Sequence, residues 1–249
     1  MLADPEAVCR RAAERFARLA TAAIGARGRF VVALSGGHTP RRLHELLAGA
    51  DEPWRHVIPW SEVHVCFGDE RHVPPDHPDS NYRMARESLI DHVPIPDNHV
   101  HRIPAEMPAA DAATAYERTL RALLPDGRFD LVLLGMGPEG HTASLFPGSP
   151  ALGETQRWVR AVDVPQLRTQ RITCTPPLLN ASRSVLFLVA GMEKAAALRG
   201  VLHDARDPTQ WPAQAIAPTD GALRWLVDRA AARLLPGNGA SDGGAAHGT

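Results

Sequence analysis

Short apolar runs alternate along the chain with stretches in which apolar positions recur every three or four residues, the pattern of β-strands interleaved with amphipathic helices. Strands are expected at Phe30 to Leu34, Val63 to Phe67, Phe129 to Leu134, Trp158 to Val162, Arg171 to Thr175 and Val185 to Val189. Helices are expected near residues 40–48, 81–91, 111–124, 193–203 and 221–235. Runs such as Phe129 to Leu134 are almost continuously apolar, as strands buried on both faces are, so the alternation implies βαβ units and a largely parallel sheet covered by helices. At the N-terminus, Asp4 can cap a helix, Pro5 suits its first turn, and Val8, Ala12, Phe16, Leu19 and Ala23 form one apolar stripe.

Length and composition narrow this to one large α/β domain. The 249 residues are 44% hydrophobic, enough for a single core spanning residues 1–235. The Gly/Ala-rich segment 236–249 has almost nothing to bury and is expected to stay disordered. Lys plus Arg total 27 against 28 for Asp plus Glu, a net charge of -1, so no overall field favours nucleic acid or anionic lipid. Three scattered cysteines without C-x-x-C spacing fit a reducing compartment, with neither disulfide nor zinc cluster expected. The longest apolar runs have strand length, so neither export nor membrane spanning is supported, and a cytoplasmic location is expected.

Chemistry concentrates where predicted strands end. The segment FDLVLLGMGPEGHTASLFPG runs an apolar strand into a turn with Gly135, Gly137 and Gly140, whose conformational freedom lets the strand end present His141, Thr142 and Ser144 at a crevice. GMGPEG also matches the dinucleotide pattern G-x-G-x-x-G, but Pro138 and Pro147 crowd the helix that pattern needs, which argues against nicotinamide binding. After Phe30 to Leu34 comes SGGHTP, in which Gly36 and Gly37 can turn N–H groups toward an anion, Thr39 can cap and Pro40 can begin a helix. After Val63 to Phe67 comes GDERHVPPDHPDSNYRMA, with Asp69 and Arg71 as site candidates, Glu70 as a solvated turn residue and Ser80 opening a helix. His72 and His77 lack a tight third ligand, so metal is not expected. Lys194, in GMEKAAALRG, is the single lysine among the 27 basic residues and reads as a ligand-binding cation; Arg171, in RTQRITCTPPLLN, offers a second phosphate clamp.

With these five segments in order, the chain resembles the 6-phosphogluconolactonases over roughly residues 10 to 235, a family that shares its fold with the glucosamine-6-phosphate deaminases. The resemblance implies a Rossmann-like three-layer α/β/α fold with a mostly parallel sheet. It implies hydrolysis of 6-phospho-D-glucono-1,5-lactone to 6-phosphogluconate, in the oxidative pentose phosphate pathway, without metal or organic cofactor. By motif, His141 would be the general base, Ser35, Gly36, Gly37, Arg171 and Lys194 would hold the phosphate, and Asp69 and Arg71 would line the sugar site. The family's pattern usually reads Gly-x-Asp-Gly-His; here the acidic position is Glu139, one methylene longer. The partner is then a small phosphorylated sugar lactone, with no nucleic acid and no membrane, and the protein a monomer or small homo-oligomer.

A lactone is an activated ester, so a water nucleophile suffices and a neutral imidazole can take its proton at neutral pH. No G-x-S-x-G elbow is present, which makes Ser144 a structural residue rather than a nucleophile. Two alternatives remain. An amino-sugar-phosphate deaminase or isomerase would need ring opening and further acidic groups beside the histidine, and TASLFPGSPALGE offers none before Glu154. A non-catalytic sugar-phosphate sensor would need an attached partner module.

Overall fold

The computed structural model describes residues 1–236. In chain order, the helices are α1 (Pro5–Arg27), α2 (His38–Ala48), α3 (Pro53–Val57), α4 (Asn81–Ser88), α5 (Ala109–Leu123), α6 (Pro176–Ala181) and α7 (Ala195–His203). The strands are β1 (Phe30–Leu34), β2 (Val63–Phe67), β3 (Asp69–Arg71), β4 (Leu131–Leu134), β5 (Val159–Val164), β6 (Thr169–Cys174), β7 (Ser184–Val189) and β8 (Ala222–Val227).

Five strands form an all-parallel sheet in the order β2-β1-β4-β7-β8. Every residue of β1, β4 and β7 is buried, which requires cover on both sheet faces. From β1 the chain steps outward to β2, and the next strand of this sheet, β4, lies on the other side of β1. The reversal opens a crevice beyond the carboxyl ends of β1 and β4, where such sheets bind ligands. Ser35-Gly36-Gly37 leaves one of those ends and Gly135-Met136-Gly137 the other.

Caps explain where the first helices sit. Asp4 accepts from the Ala7 amide at 2.8 Å, and Gly28, at φ 73°, closes α1 with a bond to the Ile24 carbonyl. The helix buries Val8, Ala12, Phe16 and Ala23, the expected stripe, with Leu19 partly covered. All three cysteines are free and buried. Among the described residues no helix is long and apolar enough to cross a membrane.

Three expectations need correction. Residues 221–235 form β8 and a short 3-10 turn, not a helix. Ala, Leu and Arg favour helix only by tenths of a kcal/mol each, whereas β8 gains a full parallel ladder with β7, and Trp225 stacks on Phe187 at 3.8 Å. Strands β5 and β6 do not join the parallel sheet; with β3 they form a separate antiparallel one, β3-β6-β5. Helix α2 starts at His38 behind Gly37, without a side-chain cap, so Thr39 lies inside its first turn. The expectation for segment 236–249 falls outside the described residues apart from Pro236.

One buried histidine sets an acid limit on the fold. His44 of α2 is fully buried; its Nδ1 lies 3.1 Å from the Ser88 hydroxyl, and its Nε2 has no partner among the described residues. Ser88 already donates to the Met84 carbonyl, so it accepts from His44. Burial holds the His44 pKa down at about 4, against about 6.5 for an unfolded histidine. Between these values the unfolded chain binds a proton that the native one does not. Stability is therefore expected to fall by about 1.4 kcal/mol per pH unit from this group as pH drops from 6.5 towards 4. Urea titrations at pH 7 and 5 should show a smaller pH loss for His44→Leu than for the unmodified chain; equal losses would reject the assignment.

Candidate active site

The crevice is a cleft of about 720 Å³, and all nine residues singled out from the sequence line it: Ser35, Gly36, Gly37, Asp69, Arg71, Glu139, His141, Arg171 and Lys194. The glycine turn after β4 explains how the imidazole reaches it. The Gly137 amide bonds the His141 carbonyl at 2.8 Å, the Gly140 amide bonds the Gly137 carbonyl at 3.0 Å, and Gly140 sits at φ 79°. The turn thus folds the ring back over Gly137. A Cβ there would lie 2.0 Å from Nδ1 of His141, so only glycine leaves room for the ring. Gly137→Ala is expected to lower kcat for the cleft's reaction about 100-fold by displacing the imidazole; steady-state kinetics showing unchanged kcat would contradict this.

His141 is held on two sides. Phe146 stacks against its ring at 4.3 Å between centroids. A Glu139 carboxylate oxygen lies 2.9 Å from Nδ1, close enough for an ion pair with a protonated ring but not aligned as a hydrogen bond. Nδ1 is covered, and Nε2 has no partner among the described residues. It is therefore the nitrogen free to handle a proton. The longer glutamate still brings a carboxylate oxygen beside Nδ1.

The two hydroxyls expected beside His141 turn away from the cleft. Thr142 donates to the Gly135 carbonyl at 2.8 Å, and Ser144, fully buried, donates to Oδ2 of Asp69 at 2.7 Å. Ser144 is thereby removed as a nucleophile, and Asp69 is occupied as an acceptor that ties β3 to the His141 loop. Asn81 adds to this tie, donating to the Asp69 carbonyl at 2.9 Å. The same side chain packs under Gly36, where a Cβ would lie 2.0 Å from its Oδ1. Asn81 was not singled out from the sequence; only its place beside the helix-capping Ser80 marked it.

Glu70 is not a solvated turn residue. It is 2% exposed and accepts from the amides of Arg71, Asn81 and Tyr82 and from the Ser80 hydroxyl, so it anchors the N-terminus of α4. Burial pushes its carboxyl pKa up, against the opposing pull of those amides.

On the antiparallel sheet, Arg71 and Arg171 are direct cross-strand partners. Each has a buried Nε without a partner, and neither has an ion pair among the described residues. Among the described residues the Arg71 guanidinium otherwise donates to the Asp79 carbonyl. Burial, and then the positive charge of Arg71, push the Arg171 guanidinium down from its usual value. Two like charges held together with unused donors form a site suited to an anion. The uncapped N-terminus of α2, opening on Gly37 at φ 108°, faces the same cleft with free amides. Lys194 completes the basic lining from the turn before α7. That turn is fixed by Asp228, a buried carboxylate that accepts from the Gly191 and Ala231 amides and that sequence reading passed over. Among the described residues no group of three or more His, Cys, Asp or Glu is arranged to hold a metal ion.

Comparison with known proteins agrees with this geometry. The family model described as glucosamine-6-phosphate isomerases/6-phosphogluconolactonase matches residues 3–225. A Synechocystis sp. protein named 6-phosphogluconolactonase is 46% identical over 222 residues, covering 86% of this chain and 88% of the relative. A human protein of the same name is 41% identical, covering 88% and 85%. The solved 6-phosphogluconolactonase from Trypanosoma cruzi superposes with a TM-score of 0.83 at 30% identity, covering 95% of this chain and 96% of that one. An open parallel sheet with a basic cleft and a glycine-borne histidine at its switch point, matched over nearly its whole length by these relatives, places the chain in the glucosamine-6-phosphate isomerase/6-phosphogluconolactonase family.

Proposed function

We propose that this chain hydrolyses 6-phospho-D-glucono-1,5-lactone to 6-phosphogluconate, the substrate its named relatives imply. The observation that carries this reading is the pairing, in one cleft, of two adjacent arginines with unused donors and a histidine whose Nε2 has no partner among the described residues. Arg171, Lys194 and the amides of Gly36 and Gly37 hold the phosphate, and Arg71, expected from the sequence at the sugar site, joins them as the cross-strand partner of Arg171. Ser35, whose buried hydroxyl has no partner among the described residues, adds a donor. The phosphate lies far from C1 of the lactone and serves for positioning.

His141 then acts as the base. Its Nε2 accepts a proton from water as the water oxygen bonds to C1, and the carbonyl oxygen takes up negative charge. Collapse of that intermediate breaks the bond from C1 to the ring oxygen, and Nε2 returns the proton to the departing oxygen. Glu139 stabilises the imidazolium formed between the two steps, as a carboxylate beside Nδ1 does. One α/β domain suffices for the whole cycle, because all these residues belong to a single cleft.

The test is hydrolysis of freshly generated lactone coupled to 6-phosphogluconate dehydrogenase, read against spontaneous opening. Turnover well above background is expected. A rate equal to background would reject the reading, and glucosamine 6-phosphate would become the substrate to try.

A further inference from the structure

Outside the cleft, the segment from Asp207 to Gln214 grips both ends of the loop that carries His141. The Ala213 amide donates to the Gly140 carbonyl at 2.9 Å, one residue before His141, and the Gly148 amide at the loop's far end donates to the Thr209 carbonyl at 3.1 Å. Between these bonds sits the indole of Trp211. A Cβ on Gly140 would lie 2.9 Å from it, and a Cβ on Gly200, inside α7, would lie 2.4 Å from it. The ring therefore fills the space between two glycines, one on the His141 loop and one on the helix that follows Lys194. Gln214 locks the same segment to α7, donating to the Gly200 carbonyl at 3.2 Å. Trp211 itself does not line the cleft.

Gly200 is costly as a helix residue, since glycine is among the weakest helix formers. Close approach of the indole is the physical reason for glycine here. Gly140 has a second reason, its positive φ.

We propose that Trp211 is a positioning residue for the reaction: wedged between Gly140 and Gly200, it sets where His141 stands in the cleft by bracing its loop against α7. This rests on the reading of His141 as the base. A shift of the imidazole by about 1 Å is enough to cost up to about 100-fold in rate.

The experiment compares kcat and KM for lactone hydrolysis, and competitive inhibition by inorganic phosphate, in the unmodified enzyme and in Gly200→Ala, Trp211→Leu, Trp211→Phe and the double variant Gly200→Ala/Trp211→Leu. Gly200→Ala adds a methyl that the indole must yield to, and kcat is expected to fall about 10-fold or more, with KM and phosphate inhibition within about twofold. Trp211→Leu should fall similarly, and Trp211→Phe, which keeps a ring in the gap, should recover most of the rate. The double variant should be no slower than Trp211→Leu alone, because the added methyl then meets no indole.

Unchanged kcat in Gly200→Ala or Trp211→Leu, no recovery in Trp211→Phe relative to Trp211→Leu, multiplicative losses in the double variant, or equal losses in kcat and phosphate affinity would each overturn the proposal. If Trp211→Leu does not fold, Gly200→Ala decides: an unchanged kcat overturns the proposal, and a loss that Trp211→Phe does not share supports it. An unmodified enzyme without lactonase rate would instead sink the underlying function, a result distinguishable from active enzyme with indifferent variants.

Discussion

His141→Ala is expected to lower kcat for lactone hydrolysis about 100-fold or more while leaving KM within about twofold. The size follows from what general base catalysis supplies, about 10²- to 10⁴-fold, and no neighbour can take over. Ser144 and Thr142 are buried and committed to Asp69 and the Gly135 carbonyl. Glu139 lies on the Nδ1 side of the ring, away from the nitrogen that would meet water. The unchanged KM follows from the separation of roles, since the phosphate donors come from β3, β6 and the turns before α2 and α7. Thermal unfolding should shift little, because the ring is partly exposed and its Nδ1 makes no hydrogen bond that the fold depends on. A variant retaining near-normal kcat would remove His141 from the base role.

The second large effect is expected at the arginine pair. Arg171→Ala should raise KM about 10- to 100-fold, the worth of a lost charge-assisted hydrogen bond of about 1.5–3 kcal/mol, and should weaken competitive inhibition by inorganic phosphate in parallel. Its effect on stability distinguishes a binding residue from a structural one. Arg171 is a half-buried cation beside Arg71, with a buried Nε that bonds nothing among the described residues. Removing it relieves both costs, so the melting temperature should stay the same or rise. Unchanged KM with a marked fall in melting temperature would mean that the pair serves the fold, and the phosphate assignment would fail.

Much of the site was legible because it depends on short-range chemistry. The glycines around His141, the Ser-Gly-Gly turn and the solitary Lys194 are local features, and each constrains the backbone or charge at its own position. Other parts required the folded chain. Glu70 looks like any acidic turn residue until the start of α4 brings two amides and the Ser80 hydroxyl onto it. Arg71 and Arg171 are ordinary strand-end arginines in the sequence, and their meeting depends on β3, three polar residues with little strand preference of their own, pairing with β6. Trp211 and Asp228 lie on segments with no chemical signature and matter only through what they pack against.

By itself, the sequence determined the α/β class, the strands at the sheet centre and the positions of the glycine-rich turns that line the cleft. Continuous apolar runs and glycines in fixed order admit few alternatives. Only the tertiary structure decided that residues 222–227 complete the parallel sheet, that β5 and β6 leave it, and that two arginines stand side by side on neighbouring strands at the cleft. Local preferences are worth tenths of a kcal/mol per residue, and pairing and burial between distant segments outweigh them wherever they compete.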